Sequence, residues 1–273
     1  MPRSSKKIKR APPEPDFIKV GIPGFDELFA KGIPKGTNIL IAGGPGTGKT
    51  IFCLQAIYNA AREGHDCIYI TMEESVERLK EHMDEFGWST KVIENDDAQT
   101  KLRVNDAGLI ILRKQDPIRV ARSVEAMLAK ATGDLSIDID AVPGLIPKGM
   151  RPYFVVIDSI SAIESAFVGR PESYRIYIEQ LFRVLGETKS TSFLITETED
   201  APTRFSRSGV EEFLADGVIV LYNMKVGDTR VRAIEVLKFR GAKHERKLVP
   251  MDVTDRGIAI FPKEKVYGVE GLR

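Results

Sequence analysis

Long apolar runs are missing from this chain. None approaches the roughly 20 consecutive residues needed to cross a bilayer, and the N-terminus lacks the apolar core of a signal peptide, so neither a membrane span nor export is expected. Cysteine is almost absent: Cys53 and Cys67 are the only two. Both stand in apolar settings, which reads as packed thiols in a reducing cytoplasm rather than a disulfide framework, and two thiols are too few for the usual zinc site. Neither sign of charge dominates. With 40 Lys and Arg against 39 Asp and Glu, the formal net charge is +1, so no global field calls for nucleic acid or an anionic membrane. Tryptophan occurs once, at Trp88, and is expected to pack in the core.

What is present is a short stretch of unusual specificity. Residues 43–50 read Gly-Gly-Pro-Gly-Thr-Gly-Lys-Thr, which satisfies the phosphate-cradling pattern G-x-x-x-x-G-K-[ST]. The apolar run Asn38 to Ala42 precedes it and suits a buried parallel strand. Ile51 to Ala61 follows with apolar residues at helical spacing. Strand, loop and helix in that order place an anion at a helix N-terminus, where backbone N–H groups and the dipole favour it. The expected nucleotide contacts are Pro45, Gly46, Thr47, Gly48, Lys49, Thr50 and Ile51. Lys49 would reach the β/γ oxygens of a nucleoside triphosphate, and the Thr50 hydroxyl would hold Mg²⁺.

The rest of the chain reads as alternating strands and helices. Strands are expected at 67–72, 153–158, 192–196, 217–222 and 232–238, and helices at 74–86, 116–131 and 172–188. Such alternation predicts a mainly parallel central sheet with helices on both faces. The segments after 217 lack intervening helices and predict an antiparallel C-terminal edge. One domain over 17–263 is expected, with a basic, Pro-rich disordered tail at 1–16, a surface insertion at 132–150 and a C-terminal tail at 264–273.

In an open α/β sheet, ligands sit beyond the carboxyl ends of the strands. Asp158 ends one strand and is the candidate acid supporting Mg²⁺. Glu73 and Glu74 end another and are candidate bases for water, since neighbouring carboxylates raise one pKa. Read without further context, Glu74 equally suits the positive end of a helix.

Beyond the loop, ordered blocks carry a resemblance: Gly21 to Leu28, Gly32 to Gly36, Glu73-Glu74, Phe86-Gly87-Trp88, Asp158-Ser159, Gly209 to Phe213, Lys238 to His244 and Thr254 to Ile258. Over about 17–263 the chain resembles the KaiC branch of the RecA-like P-loop ATPases, in its single-domain, largely archaeal form. The resemblance implies a ring, usually a hexamer, with ATP at each subunit interface and slow hydrolysis coupled to conformational or partner-binding change. It implies that Lys238 and Arg240 reach the γ-phosphate of the neighbouring subunit's ATP. Phe239, Ala242, His244, Thr254 and Asp255 match positions that line the nucleotide from that neighbour, and Thr196-Glu197 would contact the phosphate-sensing region.

Two departures stand out. Where the double-domain clock protein phosphorylates adjacent Ser and Thr, this chain has Glu212-Phe213, so autokinase activity is not expected. Glu85 stands where a small hydroxyl residue often meets the nucleotide. An alternative reading is a DNA-binding paralogue of RecA and RadA, with the basic tail, Arg204 and Arg207 on phosphates. The balanced charge disfavours it.

Overall fold

The central strands are apolar on both sides, and that decides the architecture. Asn38–Gly43, Cys67–Thr71 and Phe154–Asp158 are buried at every position, as strands covered by helices on both faces must be. The structure, a computed structural model, describes residues 17–96, 99–130, 146–147, 149–199, 205–206 and 208–268. The expected tail at 1–16, most of the 132–150 insertion, Arg204 and Arg207 lie outside the described residues.

A small antiparallel pair opens the domain, β1 (Phe17–Ile18) and β2 (Ile33–Pro34), bracketing a 3₁₀ turn at Asp26–Leu28. Then follow β3 (Asn38–Gly43), α1 (Lys49–Arg62), β4 (Cys67–Thr71), α2 (Val76–Glu85), β5 (Lys91–Asn95), β6 (Gln99–Arg103), β7 (Leu109–Lys114) and α3 (Pro117–Lys130). The second half holds β8 (Phe154–Asp158), α4 (Ile160–Ala166), α5 (Pro171–Thr188), β9 (Thr191–Glu197), α6 (Glu211–Leu214), β10 (Gly217–Val226), β11 (Thr229–Phe239), β12 (Val249–Thr254) and β13 (Gly257–Ile260).

Eleven strands form one sheet in the order β13-β12-β11-β10-β3-β9-β8-β4-β7-β6-β5. The pairings from β10 through β7 are parallel, and β11 to β13 make the expected antiparallel edge. The other edge departs from the sequence reading. The segment 91–114 folds into three strands that periodicity alone had not suggested, with β5 and β6 antiparallel beyond β7. Their pattern is weak because β5 is exposed throughout and β6 buries only alternate residues. A strand needs a continuous apolar run only where both faces are covered.

Alternate residues of β3 supply two cores. Ile39 and Ile41 pack with Phe52, Leu54, Leu79 and Met83 under α1 and α2. Leu40 and Ala42 pack with Ile160, Tyr177, Ile178 and Leu181 under α4 and α5. The period-2 pleat therefore anchors β3 to helices on both sides, so the loop leaving its end starts from a fixed point. Trp88 is buried in a stack between Phe86 and Tyr58. Cys53 and Cys67 are buried and unpaired with each other.

Candidate functional site

The loop leaving β3 crosses to α1 by way of Gly48, which caps the helix at φ 96°. That left-handed conformation is open to glycine and strained for other residues. Gly43 is required for space instead: a Cβ there would lie 2.6 Å from the Leu221 carbonyl oxygen and 2.7 Å from Thr47 Oγ1. Thr47 braces the loop from within, donating to the Gly44 carbonyl at 2.9 Å. Pro45 and Gly46 are exposed at the tip, and Ile51 packs partly against the core.

Four strand ends converge on this loop. Lys49 Nζ donates to the carbonyls of Gly43 and Gly44, each at 2.9 Å. Burial lowers the Lys49 pKa, opposed by the carboxylates of Glu197, Asp158 and Glu73 around it. Thr50 Oγ1 donates to Asp158 Oδ2 at 3.2 Å, and the Tyr69 hydroxyl donates to the same oxygen. Asp158 is pushed up to about 6, chiefly by burial, against the hydrogen bond from Tyr69, with Glu73 adding repulsion. Ser159 Oγ donates to Glu73 Oε1. On the next strand over, Glu197 N donates to Ser161 Oγ at 2.9 Å, and that hydroxyl lies 3.2 Å from Thr196 Oγ1.

These oxygens fit a hard divalent cation. A buried carboxylate held near 6 by desolvation is what a nearby cation would relieve, and the Thr50 hydroxyl beside it supplies a second oxygen. Among the described residues no three His, Cys, Asp or Glu side chains cluster to hold a metal. Thr50 and Asp158 offer two oxygens, the number that a hard cation completing its shell with phosphates and waters takes from protein. Tyr69 was not singled out by sequence, because a tyrosine within an apolar strand reads as core. Glu74 is held apart from Glu73 by His82 Nε2, 3.0 Å from Glu74 Oε2. It stands just before the Ser75 cap of α2, whose hydroxyl accepts from Arg78 N.

The remaining candidates fall at two opposite ends of the sheet. Gly217 pairs with Ile39 on one side and Phe239 on the other. Phe239 is therefore level with Ile39, four residues short of Gly43, roughly 13 Å down the sheet and two strands across. Lys238 and Arg240 flank it, beyond reach of the loop in their own chain. Lys238 Nζ donates to the Ala215 carbonyl at 2.9 Å, Arg240 Nη2 to the Phe213 carbonyl at 2.8 Å, and Arg240 Nη1 lies 3.9 Å from Asp216. Partial burial and then Arg240 lower the Lys238 pKa. Ala242 and His244 share this end: His244 bridges to Phe29 and Ala242 packs partly on the core. Phe239 offers only its backbone, since its ring is buried against Phe29.

Thr254 and Asp255 do not share it. β12 runs antiparallel to β11, so its end returns to the level of the loop. A Cβ on Gly48 would lie 3.5 Å from Ile258 and 3.7 Å from Val253. The expectation that residues 242, 244, 254 and 255 line one nucleotide from the same neighbour meets this separation. The 254–255 turn stands beside the loop of its own chain. Thr254 Oγ1 is committed to that turn, donating to the Gly257 carbonyl at 2.8 Å.

A model of the KaiC ATPase family matches residues 18–265. Among curated proteins, the UPF0273 protein PH0284 of Pyrococcus horikoshii is 31% identical over 90% of this chain and 94% of its own length. A UPF0273 protein of Thermotoga maritima is 32% identical over 90% and 96%. The circadian clock oscillator protein KaiC of Synechococcus elongatus is 31% identical over 90% of this chain, which spans 44% of that longer protein. Among solved structures, the KaiC-like protein PH0186 of Pyrococcus horikoshii aligns with a TM-score of 0.67 at 29% identity, covering 91% of this chain and all of that one.

Proposed function

Since this chain belongs to the KaiC family of ATPases, we propose that it binds ATP with Mg²⁺ and hydrolyses it at sites completed by a second copy of itself. The observation that carries this reading is the division of the candidate residues. Lys49, Thr50, Asp158 and Glu73 gather at the loop, while Lys238 and Arg240 stand at the opposite end of the sheet. Phosphoryl transfer needs positive charge around the leaving and transferring oxygens. Within one chain the loop has Lys49 alone of these cations, and the distance of Lys238 and Arg240 from it supports a role for them at another chain's phosphates. A closed ring of heterologous contacts, such as a hexamer, supplies that arrangement to every site.

In this reading, Lys49, now on the Gly43 and Gly44 carbonyls, would turn to the phosphate oxygens of ATP, and Thr50 with Asp158 would hold a magnesium ion. A magnesium ion bound there would supply charge neutralisation on the phosphate oxygens. Glu73, fixed by Ser159, orients and deprotonates the attacking water. Phe213, 77% exposed and joined through its carbonyl to Arg240, belongs to the face turned toward the neighbour. The turnover is slow and serves a conformational or partner-binding change.

Phosphate release by wild type, Lys49→Ala and Arg240→Ala, alone and mixed, tests the reading. Each variant should lose most turnover. The mixture should recover part of it, because some interfaces then pair two intact halves. Wild-type turnover in both single variants would refute the site assignment, and loss without recovery would refute the shared site.

A further inference from the structure

The segment joining β4 to α2 is held by two side chains from outside the nucleotide loop. Lys114, at the end of β7, pairs in register with Thr71. Its ammonium donates to the backbone carbonyls of both Glu73 and Glu74, at 2.8 and 2.9 Å. Gln115 N donates to the Thr71 carbonyl at 2.8 Å, and on the other flank Met72 N donates to the Asp158 carbonyl at 2.6 Å. Thr71 Oγ1 closes the turn, accepting from Glu74 N at 3.1 Å and donating to the Glu74 carbonyl at 3.0 Å. The backbone of the glutamate pair is thus tied to the strands on both sides of β4.

The two carboxylates are then sent in different directions. Glu73 accepts from Ser159, next to Asp158. Glu74 Oε2 lies 3.0 Å from His82 Nε2, on the second turn of α2. A carboxylate has no proton to give, so the imidazole donates. Its other nitrogen lies 3.7 Å from Glu85. Two adjacent carboxylates repel, and each has freely rotating torsions. A base acts only within hydrogen-bond reach of the water it deprotonates, and a misplacement near 1 Å can cost about 100-fold in rate.

We propose that His82 and Lys114 are positioning residues for the hydrolytic step, Lys114 fixing the Glu73–Glu74 backbone and His82 drawing the Glu74 carboxylate aside so that Glu73 alone addresses the water. This rests on the ATPase reading above. Neither residue belongs to the phosphate loop, to the metal pair or to the end of the sheet carrying Lys238 and Arg240. Their effect should therefore fall on turnover and not on nucleotide binding.

The test is steady-state phosphate release by the full-length oligomer, with Mg–ATP thermal shift as a parallel measure of folding and binding. His82→Ala and Lys114→Met should each lower kcat about tenfold, with KM for ATP within about twofold of wild type and the ligand-induced thermal shift retained. His82→Gln keeps an amide N–H able to reach Glu74, and Lys114→Arg keeps cationic donors. Both should recover to within about threefold of wild type. Should His82→Ala fail to fold, the Lys114 pair carries the same test. The proposal is overturned by unchanged kcat, by a rise in KM at constant kcat, or by Gln and Arg variants no better than Ala and Met. A wild-type protein that binds Mg–ATP without releasing phosphate overturns the ATPase reading and this proposal together. Normal wild-type turnover matched by the variants overturns the positioning role alone.

Discussion

Replacing Asp158 by asparagine should make the nucleotide-free protein more stable while impairing its site. Asp158 is 5% exposed, and its carboxyl is pushed up from 3.8 to about 6. A folded-state pKa above the unfolded one means that the folded chain binds this proton more tightly. The contribution to stability is fully present below about pH 4 and lost as pH rises through about 6. The shift corresponds to about 3 kcal/mol withheld from the folded state at pH 8. Asparagine does not titrate, and its carbonyl oxygen can accept from both Tyr69 and Thr50. The shift already includes both of those hydrogen bonds, but the asparagine amide puts a buried N–H₂ donor where the carboxylate has an acceptor oxygen, which takes back about 1 kcal/mol. At pH 8 the Asp158→Asn protein should therefore gain about 2 kcal/mol, roughly 5 °C in Tm for a domain of this size.

Urea unfolding with EDTA and no nucleotide, followed by fluorescence of Trp88, measures this directly. The advantage should narrow by about 1.5 kcal/mol between pH 8 and pH 5, as the wild-type carboxyl takes up its proton. With saturating Mg²⁺ and ATP the order should reverse, because only wild type keeps the ligand that gains binding free energy in the folded state. A variant less stable than wild type at pH 8, or a gap that does not change with pH, would refute the reasoning.

Other substitutions probe the supports of the site. Tyr69→Phe removes a donor that lowers the Asp158 pKa, so the pH at which Mg²⁺-dependent nucleotide binding appears should move upward in a titration by fluorescence or calorimetry. Gln55 is buried and bonds both polar groups of Ile258, accepting from its N–H at 2.7 Å and donating to its carbonyl at 3.1 Å. Gln55→Leu should cost about 2–4 kcal/mol in urea unfolding, loosen the 254–257 turn and raise the KM for ATP. A Cβ on Gly217 would sit 2.4 Å from the Phe239 ring, itself packed on Phe29. Gly217→Ala should cost about 1–3 kcal/mol in the same assay and, by shifting the strand end that carries Lys238 and Arg240, lower kcat for phosphate release.

The legible parts of the site are those carried by contiguous residues. Gly43 to Thr50 could be read because one strand, one turn and one helix N-terminus build it, and each leaves its signature within about 25 residues. The central strands β3, β4 and β8 were legible for a related reason: burial on both faces writes an uninterrupted apolar run. The edge strands β5 and β6 wrote none, and β7, though apolar, could not be told from a helix segment by its pattern. Lys114 at its end therefore carries no signature in the sequence, and neither does His82, which looks like any polar residue on an amphipathic helix.

The amino-acid sequence by itself determined the phosphate loop, the α/β architecture with its antiparallel C-terminal edge, and the acidic strand ends. All of these follow from local spacing and from which faces must be apolar. Only the tertiary structure decided how the candidates divide. Strand order and register put Lys238 and Arg240 at the far end of the sheet from Lys49, and returned Thr254 and Asp255 to the near end. They also joined Tyr69, Thr50 and Asp158 across three elements. The physical reason is that hydrogen-bonded register fixes the relative height of residues far apart in the chain, and no pattern along one segment encodes the partner it will lie against.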